Sequence, residues 1–232
     1  PDYWPCCGGS YIYLPPKSEW NWEKDTVYHE YAHAVMNFIY SPTYCSGSCP
    51  SPHYVYSEST EGCAIREGWA EFMESVVSND PNIISNTHCG IWDDNIETNS
   101  WHLGNIDTCD NDWNGQIIEG AVASILWDIY DSNNDGSDTL YADFDEIFTI
   151  MRYDKPCSIL TFGNYWNSRG YGYLSTLKGI YQDHGTILNF PPNTPTLISP
   201  PNGATGQSIN VGVDWGCSDP DGDTLRYNVY FE

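Results

Sequence analysis

The sequence predicts an α+β chain: a mainly helical first domain with a small sheet near its N-terminus, then the start of a β-sandwich module. Three observations carry this. Apolar residues in the first 189 positions repeat mostly at helical spacing, the composition turns to proline, asparagine and glycine around 190–206, and beyond that the apolar residues alternate. The predicted organisation is a domain over 1–189, a Pro-rich linker over 190–205 and a partial β module over 206–232.

Tyr11-Ile-Tyr-Leu14 is a short strand candidate, closed by Pro15-Pro16. From Asp25 to Tyr40 the apolar positions Val27, Tyr31, Ala34, Val35, Phe38 and Ile39 keep close to 3.6 spacing, and Ser41-Pro42 ends the helix. Ser59 or Thr60 can cap a second helix running to about Asn79, with Ile65, Trp69, Phe72, Met73 and Val76 inward. A third, from about Ile117 to Tyr130, is apolar all round and reads as buried. Asp143–Tyr153 and Leu174–His184 read as a fourth and fifth, the last ended by Gly185. In the tail, Val211, Val213 and Trp215, then Leu225, Tyr227, Val229 and Phe231, alternate as half-buried strands do, with Asp219-Pro-Asp-Gly-Asp223 as the turn between them. That pattern resembles the opening strands of fibronectin-III-like or immunoglobulin-like modules. Such a sandwich needs about seven strands and roughly 100 residues, so the parent protein is expected to continue beyond Glu232.

Charge excludes whole classes of partner. Eight basic groups against 32 acidic ones leave a net charge of −24, so a polyanion finds no basic footprint, and nucleic acid and anionic membrane surfaces are both disfavoured. No stretch approaches the roughly 20 apolar residues of a membrane span. Nine cysteines without finger spacing point to disulfides and an oxidising, extracellular setting. Eight precede the Pro-rich stretch and can form four bridges in any pairing; Cys217 stands alone after it. The chain opens at Pro1 with neither Met nor a charged-then-apolar leader, as expected of a processed or recombinant mature form of a secreted protein.

The most informative feature is His29-Glu-Tyr-Ala-His33 inside the first helix. Residues four apart share a helical face, so both imidazoles can converge on one Zn²⁺ while Glu30 stands beside the open coordination position. Neutral imidazole is a good zinc ligand, the metal acidifies its bound water, and the neighbouring carboxylate can take the proton as that water attacks a carbonyl. A third ligand is required. The long metzincin motif would need Gly and His where Met36 and Ile39 stand, so that class is excluded.

In the second helix, Arg66-Glu-Gly-Trp-Ala-Glu-Phe72 places Glu67 and Glu71 on one face. Here the chain resembles the gluzincin metallopeptidases, whose third ligand is a helical Glu downstream of H-E-x-x-H. Glu-Gly-Trp-Ala is similar to the Glu-Gly-Phe-Ala of the aminopeptidase branch, and thermolysin-like enzymes carry an acidic residue where Glu71 stands. The resemblance implies a zincin-like metallopeptidase fold, with His29, His33 and Glu67 as metal ligands and Glu30 as general base. Glu71 would orient a ligand histidine through its second nitrogen. Glu71 is the runner-up for the third ligand and His53 comes after it. The gap from His33 to Glu67 is longer than in those families, and an inserted loop over Ser41–Glu58, with Cys45, Cys49 and three prolines, accounts for it best.

For the group that stabilises the developing oxyanion, Tyr56, upstream of Glu67, is the first candidate by the same resemblance. The family's later histidine has no counterpart, because Asp112 falls in its place; His102 and His184 are possible substitutes. Glu119 is either a carboxylate near substrate or an ordinary acidic residue of a first helical turn. Asp131, Asn133, Asp135 and Asp138 alternate around Gly136 as in the start of a calcium loop, although Ala142 stands where the bidentate Glu belongs. Ca²⁺ is thus a candidate beside an ordinary acidic turn, and Asp219, Asp221 and Asp223 form a shorter analogue. The expected function is that of a secreted zinc endopeptidase acting on peptide or protein substrates, with Tyr11–Leu14 as the edge on which an extended substrate pairs. An adhesion or binding protein on the same fold, and a zinc hydrolase of other amides or esters, are the alternatives.

Overall fold

Two long helices, α1 (Lys24–Tyr40) and α2 (Glu61–Ser78), pack side by side, and α2 packs in turn on α3 (Glu119–Tyr130). The structure, a computed structural model, describes residues 6–7, 12–13, 24–50, 53–83, 94–98, 114–133 and 136–230. It divides into two units, Pro1–Leu188 and Asn189–Glu232.

In the first unit α2 begins and ends where the sequence supplies caps. The Thr60 side chain accepts from the Cys63 N–H at the start of α2, and Asn79 ends that helix in the left-handed region at φ 54°. Every residue of α3 from Glu119 to Ile129 is buried, as its all-round apolar sequence predicts. Trp69 and Phe72 of α2 meet Phe144 and Phe148 of α4 (Phe144–Thr149), and Tyr130 closes the aromatic cluster edge-on. Trp69 is fully buried, so its truncation to Ala would cost about 3–5 kcal/mol. The helix read as Asp143–Tyr153 is α4 followed by a π-helical turn over Ile150–Asp154, and the last helix is α6 (Leu174–Asp183).

One helix escaped the sequence reading. α5 (Ile159–Arg169) starts on a capping box in which Ser158 and Thr161 bond reciprocally, and it ends on Gly170 at φ 73°. Gly163 in its middle lowers the helical signal, but a Cβ there would lie 2.7 Å from Leu188 Cδ1, so the glycine serves packing.

Sheet structure is slight. β1 (Cys6–Cys7) pairs antiparallel with β2 (Ile12–Tyr13), which is the small N-terminal sheet expected; Tyr11 and Leu14 of that strand candidate lie outside the described residues. β3 (Asn82–Ile83) pairs with β4 (Asp94–Asn95). Among the described residues two disulfides tie the first unit: Cys45–Cys157 spans 112 residues and Cys49–Cys63 spans 14. By chain entropy they restrict the unfolded state by about 4–5 and about 3 kcal/mol. Among the described residues Cys217 is the free thiol.

The second unit departs from the predicted strand pattern. β5 (Thr196–Ser199) lies within the stretch read as linker and pairs antiparallel with β6 (Asp214–Gly216), whereas Leu225 to Tyr230 form no strand. Alternation alone does not make a strand without a partner edge, and two strands bury little. Ile209, Val211 and Val213 accordingly stay exposed, while Trp215 keeps an edge contact with Tyr227 at 5.6 Å.

Candidate metal centre

The α1–α2 interface brings three donor atoms together. His29 and His33, one helical turn apart on α1, have their Nε2 atoms 3.1 Å from each other. Glu67 Oε2 of α2 lies 2.9 Å from His33 Nε2 and 3.6 Å from His29 Nε2. Four ligands at zinc distances of about 2.0–2.1 Å form a tetrahedron with edges of about 3.3 Å, so the three separations are those of one tetrahedral face. Two nitrogens and a carboxylate oxygen are also a donor set suited to zinc.

The second nitrogen of His29 is held from α2 as well. Its Nδ1 is 3.4 Å from Glu71 Oε1 and 3.8 Å from Glu74 Oε2. Glu71 thus stands beside a histidine rather than among the three converging donors. Glu74, given no role by the sequence, is 3% exposed and stands beyond hydrogen-bond distance of the same nitrogen. Its signal was its place in the Glu67/Glu71/Glu74 stripe, which Gly68-Trp69 and the need of the histidine pair for a partner set apart from an ordinary solvated face. Burial alone would lower the basicity of His29, but the carboxylates of Glu71 and Glu67 outweigh it and raise its pKa well above the usual value. Burial would raise Glu67, and hydrogen bonds with the two histidines hold it well below the carboxylate range instead. Glu30 is buried on the same helix.

A second pair adjoins these donors. His53 Nδ1 lies 3.1 and 3.3 Å from the two oxygens of Glu119, and one donor atom each of His53, Glu67 and Glu119 fall within 4.8 Å of one another. Glu119 opens α3 and is 3% exposed; burial raises its carboxyl despite His53, while the bond to Glu119 raises His53. Tyr56 is buried, with its ring stacked on Tyr54 at 5.7 Å. His184 pairs with Asp128 at 2.7 Å, and Asp128 is nine residues and half a turn round α3 from Glu119. His102 and Asp112 lie outside the described residues.

The loop read for calcium is partly described. Asp131 meets Glu97, which also accepts from Trp127 Nε1 and Asn133 Nδ2. Ser137 N–H is capped by Asp183 Oδ2 at 2.8 Å, Asp138 is buried, and Asp135 lies outside the described residues. In the second unit one oxygen each of Asp219, Asp221 and Asp223 lie within 4.8 Å of one another, and Asp219 Oδ1 accepts from the Asp221 and Asp223 amides. Among the described residues no helix is long and apolar enough to cross a membrane.

No curated protein and no solved structure matches the chain. A family model does: the mycolysin C-terminal domain matches residues 2–176, three-quarters of the chain, a span containing His29, Glu30, His33, Glu67 and both disulfides. The chain therefore belongs to the mycolysin C-terminal domain family, which is related to the mycolysin- and thermolysin-like metalloproteases, a family of secreted proteases.

Proposed function

We propose that the chain is a zinc-dependent endopeptidase of the gluzincin type, working outside the cell on peptide or protein substrates. The observation that carries the reading is the convergence of His29 Nε2, His33 Nε2 and Glu67 Oε2 at the edge lengths of a tetrahedron. These residues would hold the ion, and Glu71 would keep the His29 ring in register through Nδ1. Once bound, zinc acidifies a coordinated water and polarises a carbonyl oxygen.

The remaining steps fall to side chains. Glu30, one residue after His29, takes the proton of the attacking water and returns it to the leaving nitrogen. Tyr56 is the donor for the developing oxyanion that the gluzincin resemblance favours, and His53, fixed by Glu119, is a second donor that the geometry adds. Several buried carboxylates also favour a cation, because Glu30, Glu67, Glu74 and Glu119 are each less than a tenth exposed and buried negative charge is costly without compensation. For Ca²⁺, the side chains of Asp131 and Asn133, both against Glu97, are the ligands that the loop after α3 would offer first.

A binding role without turnover has one observation in its favour: the matching family is described as a C-terminal domain. Chelation separates the readings. The peptidase loses casein cleavage on removal of zinc and regains it when one equivalent is returned. A chain that binds zinc and never cleaves casein, peptides or esters is a binding domain, and one that cleaves only esters or small amides is the other kind of hydrolase.

A further inference from the structure

The loop between α1 and α2 is sealed onto the start of α2 beside Glu67. A Cβ on Gly62 would lie 1.8 Å from Ser46 O, so loop backbone and helix are in direct contact there. Arg66 fastens the same segment, donating to Cys45 O, to Gly47 O and to Cys49 Sγ at 3.3, 3.0 and 3.2 Å. Cys63 lies one helical turn before Glu67, and its bridge to Cys49 brings a sulfur against the carboxylate, with Cys49 Sγ 3.4 Å from Glu67 Oε1. The carboxylate thus faces two ways: Oε2 towards the histidines, Oε1 towards the disulfide.

That contact matters because sulfur changes character with oxidation state. A disulfide is a poor metal ligand, while thiolates are the strongest zinc ligands a protein has. One donor atom each of Cys49, Cys63 and Glu67 lie within 4.8 Å of one another. We propose that the Cys49–Cys63 bond is an oxidation gate on the metal centre: closed, it leaves Glu67 to the two histidines; opened, its two thiols and Glu67 form a competing site for the same divalent cation. The proposal rests on the zinc reading for what Glu67 does in the oxidised form.

The chemistry needs a dithiol reductant. Its thiolate attacks the half-buried Cys49 sulfur, a mixed disulfide forms, and the electron pair of the broken bond leaves on the buried Cys63 sulfur. The reductant's second thiol then releases Cys49, so two electrons pass to the protein and the reductant ends as its own disulfide. Each thiol sheds its proton on taking up the metal. In a reducing compartment the chain would hold its cation through sulfur, and the bridge that forms in an oxidising one would hand Glu67 back to the histidines. The bridge also closes the ring containing His53, so opening it loosens a second group beside the centre.

The test uses the whole chain. It is reduced with a phosphine, treated with zinc or left metal-free, alkylated and mapped by mass spectrometry; cobalt is added to a parallel sample. Zinc is expected to slow alkylation of Cys49 and Cys63 at least tenfold without protecting Cys217, and reduction is expected to bring up a sulfur-to-cobalt charge-transfer band absent from the oxidised chain. Equal alkylation of Cys49 and Cys63 with and without zinc, or a band that persists in the Cys49→Ser/Cys63→Ser variant, overturns the gate. An oxidised chain that binds no zinc, beside a reduced one whose two thiols are protected, sinks the histidine centre and leaves the thiol site standing.

Discussion

Gly68 of α2 lies directly against the backbone of Glu119 at the start of α3: a Cβ at position 68 would stand 2.6 Å from the Glu119 carbonyl oxygen and 2.7 Å from Val122 Cβ. The missing side chain lets the two helices close up, and this brings the carboxylates of Glu67 and Glu119 to the same small region. The Glu-Gly pair in the sequence therefore combines a carboxylate of the candidate metal centre with the contact that places it.

Gly68→Ala tests that closeness. Neither backbone can yield a few tenths of an ångström without shifting a helix, so the variant is expected to lose about 1–3 kcal/mol, as overpacked cores do. Urea denaturation at fixed zinc measures it. A midpoint equal to that of the wild type would show that α2 and α3 have more room than the structure gives them.

The roles of the three α2 carboxylates separate by metal affinity. Glu67→Gln should abolish tight binding, Glu71→Gln, which removes the partner of His29 Nδ1, should weaken it about 10–100-fold, and Glu74→Gln, farther from that nitrogen, should weaken it less. Competition with a zinc indicator gives the three constants. The reverse order, with Glu71→Gln the most damaging, would make Glu71 the third ligand.

The pair at the mouth of α3 predicts a kinetic signature. His53→Ala should lower kcat by about 10²–10³ with KM and zinc content little changed, the pattern of a lost oxyanion donor. Tyr56→Phe, measured beside it, identifies which donor carries the step. A rise in KM alone for His53→Ala would make His53 a binding group.

Stability should depend on pH through Asp131 and Glu97. Burial and then the neighbouring Glu97 push Asp131 up to about 8, far above an unfolded value of about 3.9, so its contribution is complete below about pH 4 and lost as pH rises through about 8. Glu97 is lowered; its own contribution has the opposite sign and is lost in acid. Between pH 7 and 9 the loss from Asp131 dominates. With zinc bound to both proteins, the wild-type Tm should therefore fall more steeply over that range than that of Asp131→Asn, as calorimetry would show. About 1 mM calcium should restore the wild type alone, since a cation can replace the shared proton.

How far these features could be read from sequence followed from how local their signals are. α1 and α2 were legible because apolar spacing, and for α2 the Thr60 cap, lie within the segment, α3 because its apolar run is nearly unbroken, and the His29/His33 pair because its geometry follows from a single helix. Glu67 needed the family resemblance, since nothing local says which stretch packs on α1. Both disulfides hold the intervening loop, so the long gap from His33 to Glu67 costs no geometry. His53 and Glu119, 66 positions apart, meet only through the fold, and Glu74 looks like a surface acid until α1 covers it. In the second unit the strand pattern misled because alternation cannot show whether a partner edge exists.

The most direct measurement is casein cleavage by the wild type and by Glu30→Gln, purified in parallel and assayed for zinc. The predicted result is cleavage by the wild type, its loss by at least about 10³-fold in the variant, and one zinc in each, because Glu30 moves a proton and does not hold the metal. Equal cleavage by the two proteins, or no cleavage by either with zinc fully bound, would contradict a peptidase mechanism built on Glu30.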